Sequence, residues 1–446
     1  MTTNTSWLHF LPKFIRTRIE GRTNLLKVLG NASWLSGEKV LNLFVGLFVG
    51  AWVARYLGPE QFGLLSYLTA FVMFFNPLAE LGLSDIVVRN LAEDSSHRDA
   101  ILGTAFLLLL LSGILAMVLC MGIALFLLAS DTQNLWLLLI LSSTLVLQSF
   151  NTIDFWFRSQ VNAKPVTLVR SVVTIVIAGM NIYFVTVFAP LSAFIWVRTL
   201  SLALIALGLY VVYQNIEKTI GSWHFDLNQA RILLGDSWPF ILSGFSGVIY
   251  LRIDQVMLTN MVGEQENGLY ATAVRLVELW YFIPMAIYVS VLPTIIEAKK
   301  VSDILFYARL QKLYNAMSFL SYMIAIPVTL FAPWIITLLF GEDYSGAVPI
   351  LIITVWSLLF TNLGIARSAF LVSENLIKAH TFTVVLAAIT NVLLNLWLLP
   401  KYGGIGAAFA TLVSYWVATH GSCFLYKPLF KTGNMLTKAM VYPKVW

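Results

Sequence analysis

Residues able to do chemistry are sparse in this chain: of 446 residues, 11% are Asp, Glu, Lys or Arg. The five histidines, His9, His97, His224, His380 and His420, are scattered and form no HExxH-type pair. Cys120 and Cys423 each lie in an apolar run, form no metal-ligand spacing and say nothing about redox compartment. No G-x-x-x-x-G-K-[ST] loop occurs, so the chain carries no P-loop ATPase. What remains is charge in costly places. Lys39, Arg170, Arg198, Arg252 and Arg275 fall inside long apolar runs, with Glu38, Glu80, Asp154, Asp254 and Glu278 as acidic companions. A charge at a bilayer centre costs about 2.5–3.5 kcal/mol on insertion scales, so each must snorkel, pair or meet water.

Depth separates these residues. At a rise of about 1.5 Å per residue, Lys39 and Arg170 lie roughly 9 Å from the inner ends of their runs. Arg198 and Arg275 lie roughly 10 Å from the outer ends, and all four can snorkel. Arg367 lies near an inner end. Arg252 is about 15 Å or more from either end, beyond easy reach of water. Arg275 and Glu278 are three apart and Asp154 and Arg158 four apart, spacings that suggest local pairs. Arg252 and Asp254, two apart, point to roughly opposite sides of one helix. Arg252 therefore needs a carboxylate from another helix or an aqueous cavity with an anionic ligand, and its planar donor fork suits phosphate oxygens. The substrate-binding candidates are Arg252, Arg198, Arg275, Arg170 and Lys39; those for ion coupling are Asp254, Glu278 and Asp154, with Glu80 and Glu38 behind them. Structural salt bridges are the competing reading for each. Nothing suggests a catalytic centre, a bound metal or a cofactor; coupling to H+ or Na+ stays open.

The elements that position these groups are membrane spans. The chain is 59% hydrophobic with a mean hydropathy of +0.82, against about 45–50% apolar for a soluble domain. Runs long enough to cross a bilayer, about 20 residues, occur near 33–55, 62–83, 101–129, 133–156, 164–188, 191–214, 232–262, 268–292, 310–340, 347–371, 376–399 and 402–427. With the N-terminus inside, Lys and Arg concentrate in the inner segments, while the outer loops hold Arg55 and Lys401 alone. The formal charge of +6 is thus largely a topology signal rather than a nucleic-acid footprint. Every connection is short, too short for an independent soluble domain.

A repeat is visible. Ser33-Trp34 and Ser237-Trp238 open equivalent runs, and Gly58-Pro59-Glu60-Gln61-Phe62-Gly63-Leu64 matches Gly263-Glu264-Gln265-Glu266-Asn267-Gly268-Leu269. Six spans per copy make the repeat parallel, a transporter architecture. The expected fold is an all-α integral membrane protein: about twelve transmembrane helices in two parallel six-helix lobes around a central cavity. The expected divisions are a basic amphipathic N-terminal segment at 1–32, an N-lobe at 33–214, a cytoplasmic linker at 215–231, a C-lobe at 232–427 and a basic tail at 428–446. Residues Trp7 to Arg16 suit a helix lying on the cytoplasmic membrane surface, or a mobile basic tail, rather than a cleavable signal.

The chain resembles the O-antigen and polysaccharide flippases of the multidrug/oligosaccharidyl-lipid/polysaccharide exporter superfamily. The matching stretches are Asn31-Ala32-Ser33-Trp34-Leu35, Ala54-Arg55-Tyr56-Leu57-Gly58-Pro59-Glu60-Gln61-Phe62-Gly63, Leu251-Arg252-Ile253-Asp254-Gln255-Val256-Met257-Leu258, Gly268-Leu269-Tyr270, Phe282-Ile283-Pro284, Asn391-Val392-Leu393-Leu394-Asn395 and Pro400-Lys401-Tyr402-Gly403-Gly404-Ile405-Gly406. They run from the first span to the last; each is loose, but their joint order is specific. The resemblance implies a bacterial inner-membrane protein with both termini cytoplasmic. It implies movement of undecaprenyl-diphosphate-linked oligosaccharide from the cytoplasmic to the periplasmic leaflet by ion-coupled alternating access, with membrane lipids and other polysaccharide-assembly proteins as partners and no nucleic acid. Trp156, Tyr183 and Trp280 are rings that could contact sugar, with anchoring or packing as their commoner use. The rival readings are a multidrug exporter of the same superfamily and a membrane polysaccharide polymerase or ligase. The short outer loops argue against the second, and the excess arginine argues against a cationic drug. A peptidoglycan-precursor flippase would bring two further helices.

Overall fold

The computed structural model of the chain describes residues 23–127, 132–217 and 220–444, and among these all regular structure is helical. The expected amphipathic stretch from Trp7 to Arg16 lies outside the described residues. Among the described residues, ten helical segments are long and apolar enough to cross a membrane. Eight are of ordinary span length or slightly longer: Arg98–Phe126, Thr132–Ser159, Lys164–Thr186, Leu191–Ile216, Leu227–Met261, Glu264–Val301, Asp303–Phe340 and Ala347–Ser373. The other two, Ser33–Glu93 with 61 residues and Lys378–Thr419 with 42, are each broken at a glycine.

These breaks stand where the sequence places short outer turns. Gly58 (φ 72°, ψ 169°) and Gly403 (φ 52°, ψ −133°) adopt backbone angles that a side chain would oppose. Pro59 follows the first directly, and having no N–H it suits the start of a new helix. Large apolar side chains project outward along the segments, among them Phe44, Leu111, Val118, Val172, Ile175, Leu330, Trp334 and Leu393. Such a surface is solvated by hydrocarbon, not by water.

The described residues form two compact units, one from those within 23–49 and 75–241, the other from those within 50–74 and 242–444. The first packs Leu83, Val87, Leu102, Phe157, Leu209 and Tyr213 into its core. Arg98 clips helix ends of this unit together, reaching Asp99 at 3.0 Å and Glu217 at 3.0 Å. Arg89 reaches Asp236 at 2.6 Å.

The second unit is built on Phe306, Leu310, Tyr314, Met317, Leu363 and Phe370. Its C-terminal part, expected as a basic tail, includes the helix Phe430–Val441, with Leu436 and Ala439 fully buried in the same core. Tyr314 and Thr432 share a hydroxyl hydrogen bond of 2.7 Å, and the Tyr322 hydroxyl donates to the Met440 carbonyl at 2.7 Å. An amphipathic pattern thus becomes a docked helix, with Lys431 and Lys438 on its polar side.

The second unit also joins the two copies of the repeat. A Cβ added to Gly63 would lie 1.8 Å from the Glu264 carbonyl oxygen, and one added to Gly268 would lie 1.8 Å from that of Pro59. Pro59 and Glu264 are equivalent positions of the repeat, as are Gly63 and Gly268. The contact is therefore reciprocal, and the Asn267 side-chain amide seals it by donating to the Gly63 carbonyl at 2.9 Å.

Candidate functional site

Arg252 lies on the Leu227–Met261 helix, and its guanidinium reaches a carboxylate on the neighbouring span. Nη1 stands 3.0 Å from Glu278 Oε1, and Nη2 donates to Oε2 at 3.3 Å, a two-pronged pair. Of the two alternatives left open for Arg252, the structure shows the carboxylate from another helix; the paired side chains are 20% and 30% exposed. Arg252 Nε is buried without a hydrogen-bond partner. Tyr250, two residues before Arg252, stacks on Tyr415 with ring centroids 4.5 Å apart.

Glu278, whose spacing suggests a pair with Arg275 three residues earlier, also sets its carboxylate against Arg252 on the neighbouring helix. The Arg275 guanidinium lies over the backbone of Gly50, where an added Cβ would come within 1.9 Å of Nη2. Gly50 is thus the residue that gives this cation room.

Asp254 faces another way and is 2% exposed. The Tyr270 hydroxyl and the Thr411 hydroxyl each lie 2.7 Å from Oδ2, and the Asn395 amide donates to Oδ1. These neutral partners come from two other spans. Asn395 also donates to Asn391 at 3.0 Å, and Asn391 to Ser414 at 3.3 Å. The protons are too few for the acceptors. Thr411 has one hydroxyl hydrogen, yet its oxygen lies 2.7 Å from Asp254, 2.8 Å from Tyr270 and 2.9 Å from the Ala407 carbonyl. The Asn395 carbonyl oxygen is buried with no donor at all. An oxygen-rich pocket around a carboxylate suits a proton or a small hard cation.

The first unit holds the other candidates. Asp154, expected to pair with Arg158, instead meets Arg170, with Nη2–Oδ2 at 3.1 Å. Arg158 turns to Asp85 at 2.9 Å and to the Ser84 hydroxyl at 2.7 Å. The local spacing misleads because Arg170, on the next helix, competes with the residue four along in the same helix. Lys39, Arg198 and Glu80 are exposed, and Glu38 is half-buried. Trp156 is a packed ring, 7% exposed with Arg98 lying 5.0 Å over it, so it presents no free face to a sugar. Tyr183 is exposed and Trp280 half-buried.

Two features escaped the sequence reading. Asn391 and Asn395, four apart in an apolar span, are on one face; that spacing was the available signal for the Asp254 pocket. Arg367 is 2% exposed and held by neutral groups: the Thr419 carbonyl at 2.9 Å, Thr383 at 3.1 Å and the Cys423 sulfur at 3.4 Å. Thr419 ends its helix, so the cation caps the negative end of the helix dipole.

Comparison with known proteins agrees with this architecture. A family model described as polysaccharide biosynthesis protein matches residues 28–299. A putative O-antigen transporter of Shigella flexneri is 24% identical over 416 residues, covering 86% of this chain and 94% of that one. A probable low-salt glycan biosynthesis flippase of Haloferax volcanii is 22% identical, over 48% of this chain and 44% of its own. Among solved structures, an inward-facing multidrug resistance MATE family transporter superposes with a TM-score of 0.70 at 17% identity, covering 88% of this chain and 96% of its own. The lipid II flippase MurJ, in an inward closed conformation, gives 0.68 at 18% identity, with coverage of 93% and 90%. At these identities the structures share the fold.

Proposed function

This chain belongs to the polysaccharide biosynthesis protein family and is a multi-pass membrane transporter, whose cargo we propose to be undecaprenyl-diphosphate-linked oligosaccharide. The repeat unit is carried from the cytoplasmic to the periplasmic leaflet of the inner membrane by ion-coupled alternating access. Dividing the two longest segments at Gly58 and Gly403 supports about twelve crossings, an even number with both termini on one side, and the Lys/Arg bias supports the cytoplasmic side. The lobes are residues 33–214 and 232–427, joined by the 215–231 linker.

The observation that carries the reading is the partly exposed Arg252–Glu278 pair deep in an apolar span. A guanidinium held there, with Nε unspent, suits a diphosphate group. Arg275 supplies a second cation one helical turn from Glu278. Lys39, Arg170 and Arg198 contribute positive charge along the first lobe's path.

Coupling rests on Asp254. Its pocket of hydroxyl and amide groups takes up H+ or Na+, and loss of that cation would leave a buried carboxylate with neutral partners alone. The surplus of acceptors over protons around Thr411 and Asn395 supports a cation there. Glu278 and Asp154 are the secondary coupling groups.

The test is export in cells. In a strain lacking the chromosomal copy, wild-type protein restores surface polysaccharide, and Arg252→Ala at equal membrane abundance does not. Full restoration by the Ala variant overturns the anion site.

A further inference from the structure

The same pair that marks the anion site also blocks it. Both terminal nitrogens of Arg252 are engaged by the two oxygens of Glu278, at 3.0 and 3.3 Å. A guanidinium so engaged offers an incoming anion a near-neutral pair, with a carboxylate that repels it. Phosphate oxygens can take the fork only if Glu278 leaves.

Its position permits this. Glu278 is the last residue of the Glu264–Glu278 helix; the chain then tightens into the 3-10 turn Leu279–Tyr281 before resuming as Phe282–Val301. A short 3-10 stretch inside a span is a frequent site of local adjustment. The carboxylate is 30% exposed, so it is not locked in packing, and Arg275 stands one turn behind on the same face. Arg275 is itself fixed over Gly50.

We propose that Glu278 is a built-in competitor for Arg252, displaced by a diphosphate but not by a single phosphodiester, so that the site rejects the headgroups of bulk phospholipids. The inference rests on the flippase reading and deepens it. A transporter that faces the membrane interior meets anionic phospholipid far more often than its own cargo. An uncompensated arginine would bind any of them. Setting a carboxylate against the guanidinium raises the charge an anion must bring. One phosphodiester carries the same charge as Glu278 and gains nothing by the exchange, whereas a diphosphate brings more charge and more acceptor oxygens for the freed fork and for Nε. Specificity of this kind comes from a repulsive element, not from added contacts to the cargo.

The experiment uses the full-length protein in nanodiscs of zwitterionic lipid, with farnesyl diphosphate and short-chain phosphatidylglycerol as probes. Wild type binds the diphosphate and discriminates against phosphatidylglycerol. Glu278→Gln gains at least about tenfold in phosphatidylglycerol affinity, the order expected when a buried repulsive charge is removed. Glu278→Asp, which keeps the charge, retains discrimination and controls for folding. A Glu278→Gln protein that still excludes phosphatidylglycerol overturns the competitor role. The charge-swapped double variant Arg252→Glu/Glu278→Arg retains an ion pair; full polysaccharide export by that protein would show the pair to be structural and overturn the proposal. Arg252→Ala separates the two levels. If it binds the diphosphate as wild type does, the anion-site reading itself fails; if it loses the diphosphate while Glu278→Gln gains nothing, only the competitor role fails.

Discussion

Gly63 and Gly268, equivalent positions of the sequence repeat, meet backbone to backbone in the second unit, each closing on the partner copy's helix start. Neither position has space for a methyl group, since the obstructing atoms are carbonyl oxygens rather than flexible side chains.

Gly268→Ala should therefore destabilise by about 1–3 kcal/mol or more, the usual cost of overpacking. Gly247→Ala, where an added Cβ meets nothing within 4 Å, should be neutral or slightly stabilising. Thermal unfolding of the two proteins in detergent checks this; equal midpoints would contradict the close approach.

Gly50→Ala places a methyl group on the Arg275 guanidinium and forces it away. The expected outcome is normal membrane abundance with export reduced several-fold. Gly37→Ala, which faces open space, serves as the control. Unaltered export by Gly50→Ala would remove Arg275 from the site.

Asp254→Asn replaces a carboxylate by an isosteric neutral group, so the pocket persists without a charge to bind a cation. Transport in liposomes should lose its response to an imposed H+ or Na+ gradient while the diphosphate probe still binds. A gradient response equal to that of wild type excludes Asp254 as the coupling group.

Outside the spans, Asp94 accepts from the Ser96 hydroxyl at 2.6 Å and the Ser96 amide at 2.8 Å, with His97 beside it. These hydrogen bonds hold its pKa down to about 2, below the ordinary 3.8. The sign follows from that depression. The turn gains stability from ionised Asp94 above the unfolded value near 3.8 and loses it as pH falls toward 2. An NMR titration of the Asp94 carboxyl should give a midpoint well under 3.8, and Ser96→Ala should raise it.

Truncation after Leu429 removes the docked Phe430–Val441 helix, with buried Leu436 and Ala439 and the Tyr314–Thr432 hydrogen bond. One such hydrogen bond contributes about 1 kcal/mol, and burial of Leu436 about 1.5–3 kcal/mol more. The truncated protein should melt several degrees lower. An unchanged midpoint would mean that the segment is a tail after all.

The spans were legible because twenty apolar residues in a row admit few other readings, and the ends of the Arg98–Phe126, Thr132–Ser159 and Leu191–Ile216 segments fall within a few residues of the expected runs. Arg252 stood out by depth alone. Its partner did not, because spacing rules see one helix at a time. Spacing offers Arg275 for Glu278 and Arg158 for Asp154, whereas Arg252 reaches Glu278 and Arg170 takes Asp154 from other helices. The Asp254 pocket draws on residues 270, 395 and 411, gathered by folding from far along the chain. No local pattern announces such a set.

The central claim is that Arg252 receives the anionic group of a lipid-linked cargo, and flipping in proteoliposomes measures it most directly. Purified protein is reconstituted with undecaprenyl-diphosphate-linked oligosaccharide, and the fraction reaching the outer leaflet is followed over time. Wild type should move the lipid, Arg252→Lys should move it more slowly, and Arg252→Ala should fall to the level of protein-free vesicles. Flipping by Arg252→Ala at the wild-type rate would contradict the account.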